Sequence, residues 1–175
     1  MTKLFKFLFL GALFATALSC VSDDYQGPIP YPTLIEASQD AGLTTLVTSI
    51  RAIPGLEAAL QDQNAITVFA PTNEAFANAL VQFGATDLND LVAKLGGAMN
   101  LQTVLGFHVV PAAAFSDQLR ETNTFTTLAN QQLTVNNNGG AITVIDAAGN
   151  TARVTQGDIE IENGVVHIID RVLIP

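Results

Sequence analysis

Asn163-Gly164-Val165-Val166-His167-Ile168-Ile169-Asp170-Arg171-Val172-Leu173-Ile174-Pro175 closes the chain, and its reading decides the rest. An Asn-Gly step between β-branched runs is a strong hairpin signal, because both central positions of a tight turn favour φ > 0. Ile159 to Glu162 leads into that step, and Val165 to Ile169 and Val172 to Ile174 follow it as strands. The last two are apolar nearly throughout, so both of their faces are expected to be covered. Working back along the chain, Ala152 to Thr155, Ile142 to Asp146, Leu133 to Asn136 and Phe125 to Leu128 are further short β-type runs. Gln156-Gly157, Ala148-Gly149-Asn150 and Asn136-Asn137-Asn138-Gly139-Gly140 divide them as turns. Strands so close in sequence predict a mostly antiparallel sheet.

The chain upstream has a different period. Leu43, Leu46, Val47 and Ile50 recur at helical spacing, as do Leu101, Val104, Leu105 and His108. Helices are predicted over Thr33 to Ala41, Leu43 to Ile53, Leu56 to Gln61, Glu74 to Phe83 and Asp87 to Leu95, with Pro54-Gly55 and Gly96-Gly97 as breaks. Ala65 to Ala70 is a β-branched run among them and predicts a buried strand. Pro71 fixes a sharp exit from it, and Thr72 or Asn73 is placed to cap the helix that carries Phe76 back onto the core. Helices first and strands afterwards argue an α+β fold in one domain, without internal repeats.

Three segments, in order, resemble the fasciclin domain family. Thr67-Val68-Phe69-Ala70-Pro71-Thr72-Asn73-Glu74-Ala75-Phe76 is similar to its first signature box, and Leu105-Gly106-Phe107-His108-Val109-Val110-Pro111 to its central His segment. The closing run, with Asn163, Gly164, His167 and Asp170, is similar to its second box. The resemblance covers residues 33–175. It implies a wedge: a β-sandwich of about seven mostly antiparallel strands with a helical cluster packed on it. It also implies adhesion or binding rather than catalysis, with a cell-surface or matrix protein, or a polysaccharide, as partner.

Residues 1–19 are expected to be a signal peptide. Lys3 and Lys6 form a positive start, and Phe7 to Leu18 is an apolar run of 12 residues. That is short of the ~20 residues that cross a bilayer. Cys20, the one cysteine, follows the small residue Ser19, as in the lipobox of bacterial lipoproteins. The resemblance implies acylation of Cys20 and a place in the cell envelope, as an outer-membrane or cell-surface lipoprotein. Ala17 stands where that box usually has Leu, and Ala17-Leu18-Ser19 also suits ordinary signal cleavage, so a secreted protein with a free thiol stays open. Residues 20–32, with three prolines in Tyr25 to Pro32, are expected to be a tether.

Composition excludes some partners. Hydrophobic residues are 49% of the chain, enough for a sizeable core. Without the two N-terminal lysines, five basic residues face sixteen acidic ones, a net charge of −11. Such a surface repels phosphate backbones and argues against nucleic acid.

Candidate binding residues are few. Family members often carry a Tyr-His pair tied to adhesion where this chain has Phe107-His108, so the tyrosine hydroxyl is missing. Asp158-Ile159 is similar to an Asp-Ile pair also tied to adhesion, though Gln156-Gly157 precedes it here. His108 and His167 both lie on apolar elements, which favours packed, hydrogen-bonded rings. Two histidines, even with Asp170, are too few for a zinc site demanded by spacing, and no metal or cofactor is expected. Asp158, Glu160 and Glu162 alternate with Ile159 and Ile161, which puts the carboxylates on one strand face. There is no G-x-S-x-G, phosphate-binding Gly loop or H-E-x-x-H, so no catalytic residue is assigned. A structural envelope component without a discrete partner is the second reading, and a small-ligand binder or enzyme using a cleft near His108 the third. Oligomeric state is not legible.

Overall fold

Thr33 caps the first helix. Its hydroxyl accepts from the Glu36 amide at 3.3 Å and the Glu36 carboxylate accepts from the Thr33 amide at 2.9 Å, a reciprocal cap on the first helix. The computed structural model describes residues 31–94 and 96–175. Three short helices come first: α1 (Leu34–Asp40), α2 (Thr44–Arg51) and α3 (Leu56–Gln61). Strand β1 (Ile66–Pro71) follows, then α4 (Asn73–Phe83), α5 (Leu88–Lys94) and α6 (Ala98–Phe107). The rest is β2 (Val109–Val110), a 3-10 turn at Ser116–Gln118, β3 (Thr122–Thr126), β4 (Gln132–Asn138), β5 (Ala141–Ile145), β6 (Thr151–Ile161) and β7 (Gly164–Ile169). The α+β expectation holds, with seven strands and a helical cluster.

The strands run in the order β2-β1-β7-β6-β5-β4-β3. Every pairing is antiparallel except that of β1 with β7, which are parallel from Ile66↔Gly164 to Pro71↔Ile169. Strand alternation then sorts their side chains. Ile66, Val68, Ala70, Val166 and Ile168 face a core shared with α1–α4 and α6, where Leu46, Ile50, Phe76 and Leu105 are buried. Phe69 and Ile169 face a second core with Leu133 and Val135 of β4 and Val144 of β5. The sheet therefore folds over on itself as a sandwich, with helices on the outer face of β1 and β7. Each large side chain fully buried this way stabilises the fold by roughly 1.5–3 kcal/mol.

Five details differ from the sequence reading. Strand β4 runs through Asn136 to Asn138, so that Gly139-Gly140 alone make the turn to β5. Gln156-Gly157 does not divide two strands; β6 runs on for 11 residues, with register shifts between Val154 and Gln156 and between Gln156 and Ile159. Such bulges re-aim side chains without ending the ladder. Residues 172–174 are not a strand, because side chains take the place of a ladder: the Leu173 amide donates to His108 and the Ile174 amide to Asp146. The β6–β7 turn residues are Glu162 and Asn163 rather than Asn163 and Gly164, since Ile161 pairs with Gly164, and neither takes a positive φ. The first strand after the 3-10 turn begins at Thr122, three residues ahead of the predicted run.

Gly164 is required for a different reason. A Cβ there would sit 1.8 Å from the Ile66 carbonyl oxygen, where β7 comes against the start of β1. Asn163 is held by its side chain: its amide nitrogen donates to the carbonyls of Leu60 at 2.8 Å and Gln63 at 3.0 Å, closing the C-terminus of α3.

Candidate functional site

The two signature boxes meet at the β1–β7 pair, and their polar residues are spent on main chain. Thr67 donates its hydroxyl to the Ala112 carbonyl at 2.6 Å and accepts from the Ala114 amide at 2.9 Å. This pins the segment after β2 along β1. Thr72, not Asn73, caps α4, accepting from the Ala75 amide at 3.1 Å. Asn73 instead reaches the α1–α2 turn, accepting from the Thr45 amide at 3.0 Å and donating to the Gly42 carbonyl at 2.9 Å. Pro71 ends β1 in a buried position, and Phe69 and Phe76 fill the two cores. Asp170 accepts from the Arg153 amide at 2.8 Å, tying the end of β7 to β6.

His108 is fully enclosed at the end of α6. Its Nδ1 donates to the Val104 carbonyl at 2.7 Å and its Nε2 accepts from the Leu173 amide at 2.9 Å, which assigns the tautomer. Burial pushes its pKa down to about 4, against smaller opposing pulls from the Val104 carbonyl and the Asp146 carboxylate. Phe107 beside it is completely buried.

His167 has the mirror arrangement. Its Nε2 donates to the Ala114 carbonyl at 2.9 Å, its Nδ1 accepts from the Asp158 amide at 3.3 Å, and its ring stacks on Phe69 with centroids 5.7 Å apart. Burial lowers its pKa too, with the Ala114 carbonyl and Asp158 opposing. The expectation of packed, hydrogen-bonded rings holds for both histidines. Neither has a free nitrogen with which to take a proton from a substrate or bind a metal.

Asp158 is exposed and sits at the β6 irregularity with φ 58, a left-handed conformation that Asp tolerates better than most residues. Both of its carboxylate oxygens are used by Ser116: Oδ1 accepts from the amide at 2.8 Å, and Oδ2 from the hydroxyl. Partial burial works against ionisation here. The Ser116 hydroxyl and amide, with His167 nearby, outweigh it and hold the carboxyl below its usual range. Ile159 is half-buried against the helical core. The structure thus brings Asp158 and His167 together through one amide but leaves Phe107-His108 elsewhere in the core. Ser116 was not singled out from sequence, because its partner Asp158 lies 42 residues away and nothing local marks it. Thr67 was marked by the first box, but not its partner Ala114, 47 residues away. Among the described residues, no group of three or more His, Cys, Asp or Glu side chains could hold a metal ion, and no helix is long and apolar enough to cross a membrane.

The Fasciclin domain family profile matches residues 41–175. The chain belongs to the fasciclin family. Protein sll1483 from Synechocystis sp. is 33% identical over 144 residues, covering 82% of this chain and 73% of that protein. The transforming growth factor-beta-induced protein ig-h3 of Sus scrofa is 31% identical over 158 residues, covering 90% of this chain but 20% of the animal protein, so this fasciclin domain corresponds to one part of that longer molecule. Among solved structures, a FAS1 domain pair from the insect cell adhesion molecule Fasciclin I matches with a TM-score of 0.59 and 28% identity, over 77% of this chain and 46% of that one. The fasciclin fold expected from the three boxes is the fold observed, and the family includes a cell adhesion molecule.

Proposed function

We propose that this protein is a non-catalytic adhesion or binding module, exported and displayed on the cell envelope through an acylated Cys20. One observation supports the non-catalytic reading above others: both imidazoles have both nitrogens committed to main-chain groups. Contacts with a surface protein, matrix component or polysaccharide then fall to the exterior. Of the four candidate binding residues, Asp158 alone is exposed, whereas Phe107 and His108 are internal and Ile159 is half-buried. Asp158 is accordingly the residue through which we place an adhesive contact.

Cys20 and residues 1–30 lie outside the described residues. Where the domain meets its tether, the Glu160 carboxylate beside Tyr31 raises the phenol's pKa, and the Pro32 carbonyl accepts from the Glu162 amide at 3.0 Å. The chain therefore leaves the fold beside the β6–β7 turn. Eleven residues from Cys20 to Tyr31, fully extended, span at most about 40 Å. That reach suits a domain standing clear of the headgroups.

Mass spectrometry of the N-terminal peptide from native protein tests the anchor. A peptide starting at acylated Cys20 is expected; an unmodified Cys20 refutes it. Cells lacking the protein, complemented with wild type or Asp158→Ala, test the module. Cell aggregation restored by wild type and not by the variant supports adhesion through Asp158. Equal restoration removes Asp158 from the contact, and no change on deletion rejects the adhesive role.

A further inference from the structure

The sequence has two Asn-Gly steps, Asn138-Gly139 and Asn163-Gly164, and the fold treats them in opposite ways. The side-chain carbonyl carbon of an Asn lies one ring closure from the amide nitrogen of the next residue, so attack by that nitrogen has the advantage of an intramolecular reaction. Glycine in the second place has no Cβ to shield the nitrogen. The side chain must still be free to turn, and the nitrogen free to approach it. Asn163 lacks that freedom. Its amide nitrogen donates to the Leu60 carbonyl at 2.8 Å and the Gln63 carbonyl at 3.0 Å, and the main chain of Ile66 stands against Gly164.

Asn138 has it. It ends β4 at the tip of the β4–β5 hairpin, paired with Ala141, and Gly139 and Gly140 make the turn with φ 64 and 96. All three are exposed, and nothing stands within 4 Å of where a Gly139 Cβ would lie. Among the described residues, neither the Asn138 side chain nor the Gly139 amide has a hydrogen-bond partner. The neighbouring Asn137 is fully engaged. Its Oδ1 accepts from the Gly140 amide at 2.9 Å, and its Nδ2 donates to the carbonyls of Ser116 at 3.1 Å and Leu119 at 3.3 Å. The Ser116 amide in turn donates to Asp158 at 2.8 Å. Gly140, Ser116 and Asp158 also share the wall of one surface recess. A short chain of hydrogen bonds therefore joins the turn to Asp158.

We propose that Asn138 is a site of spontaneous covalent modification, converting through a cyclic imide to aspartate and isoaspartate, and that the conversion disturbs the Ser116–Asp158 contact. The Gly139 nitrogen, deprotonated by hydroxide, attacks Asn138 Cγ and closes a five-membered ring. The bond from Cγ to the side-chain nitrogen breaks, and that nitrogen takes a proton from water and leaves as ammonia. Water then opens the ring on either side. Breaking the bond from the Gly139 nitrogen to Cγ leaves aspartate. Breaking its bond to the main-chain carbonyl carbon leaves isoaspartate, with Cβ now part of the main chain. The net reaction consumes water and releases ammonia, and nothing is oxidised or reduced. Either product puts a carboxylate where a neutral amide stood, and isoaspartate also lengthens a turn held between paired strands. The Gly140–Asn137–Ser116 bonds carry that change to Asp158. The modification is independent of the adhesive reading: it holds whether or not Asp158 meets a partner.

Incubation of the protein as purified from cells, folded and in urea, at pH 7 and pH 9, tests the proposal when followed by peptide mass spectrometry with electron-transfer fragmentation. In the folded protein Asn138 is expected to exchange its side-chain amide for a hydroxyl first, as a mixture of the two acids, at a rate that rises with hydroxide. Asn163 is expected to lag by about 30-fold or more, the factor that goes with two hydrogen bonds to be broken beforehand. In urea the two sites convert at similar rates, which ties the difference to the fold. Asn138→Gln, an exposed change whose longer side chain closes a less favoured ring, is expected to remove the early conversion. Amide NMR signals of Gly140, Ser116 and Asp158 shift as the wild type converts and stay in place in Asn138→Gln kept alongside it. An Asn138 that stays intact in the folded protein while converting in urea overturns the proposal, as does an Asn163 that converts as fast in the fold. Unmoved Ser116 and Asp158 signals in converted protein overturn the link to Asp158.

Discussion

Acidification from pH 7 to pH 5 is expected to destabilise the domain, with His108 responsible for about 2 kcal/mol of the loss. In the fold its pKa is about 4, against 6.5 in the open chain. Between those values the unfolded chain binds a proton that the folded one refuses, so stability falls as pH falls and the loss is complete below about pH 4. The full span of the shift corresponds to roughly 3 kcal/mol, at about 1.36 kcal/mol per pKa unit. Geometry supplies the reason. Nδ1 already carries the proton given to Val104, so a second proton on Nε2 would point at the Leu173 amide, donor against donor. The nearby Asp146 carboxylate softens the penalty without removing it. His167 acts in the same direction, because burial lowers its pKa as well. Urea unfolding of wild type and His108→Gln at pH 7 and pH 5 separates the two. Gln does not titrate and offers an acceptor for the Leu173 amide, so the variant should lose about 2 kcal/mol less on acidification than wild type. An equal loss in both proteins, or NMR showing a charged His108 ring at pH 5 in the folded state, would refute the reasoning.

Gly164→Ala should cost about 3 kcal/mol or more in urea unfolding, since the clash is with main chain that cannot yield: Ile66 O lies 1.8 Å, and Ile66 C and N 2.8 and 2.9 Å, from the added carbon. Thr67→Val keeps the shape of the side chain but strands the Ala114 amide and the Ala112 carbonyl. It should cost about 1–3 kcal/mol and speed hydrogen exchange at Ala114. Asn73→Ala should speed exchange at Thr45, whose partner it removes, and leave the Ala75 amide, capped by Thr72, protected; a faster Ala75 would mean that Asn73 caps α4 after all. Asn136 has a buried side-chain oxygen without a hydrogen-bond partner, so Asn136→Val, with its higher strand propensity, should stabilise the domain by about 1 kcal/mol in thermal or urea unfolding.

What could be read beforehand followed from local periodicity. The helical faces of Leu43–Ile50 and Leu101–His108 fixed their own geometry, and α3 begins directly after the Pro54-Gly55 break and ends at the predicted Gln61. Packed histidines followed equally well, because a titratable ring on an apolar element must find partners or stay uncharged. Pairings set by distant chain were not legible. Val109-Val110 is too short to signal a strand and becomes one only because β1 offers an edge. Val172 to Ile174 has strand composition, but the acceptors waiting for its amides are His108 and Asp146, from two other elements. Asn163-Gly164 marked the turn to within one residue, for a reason that does not apply: the Asn closes α3 and the Gly makes room for Ile66. The Asp158–Ser116 contact, the most exposed feature of the candidate site, joins residues whose sequence neighbourhoods give no sign of each other.

These assignments change what the signature residues say about function. Thr67, Thr72, Asn73, Asn163, His108, His167 and Asp170 each satisfy a main-chain group of another segment or cap a helix. Their side chains substitute for ladder bonds at the places where strands, turns and the C-terminal tail meet without regular pairing. Buried main-chain donors left unpaired cost about 1–3 kcal/mol each, so such residues are needed to hold a fold of this topology whatever it binds. A partner-determining residue has a different requirement, since it must present polar atoms at the surface with bonding capacity to spare. Exposed Asp158 meets it, because each of its carboxylate oxygens accepts one bond from Ser116 and keeps a lone pair for another. Specificity within this fold is therefore to be sought in the residues between the boxes and at their exposed ends, where substitution alters the ligand without costing the fold.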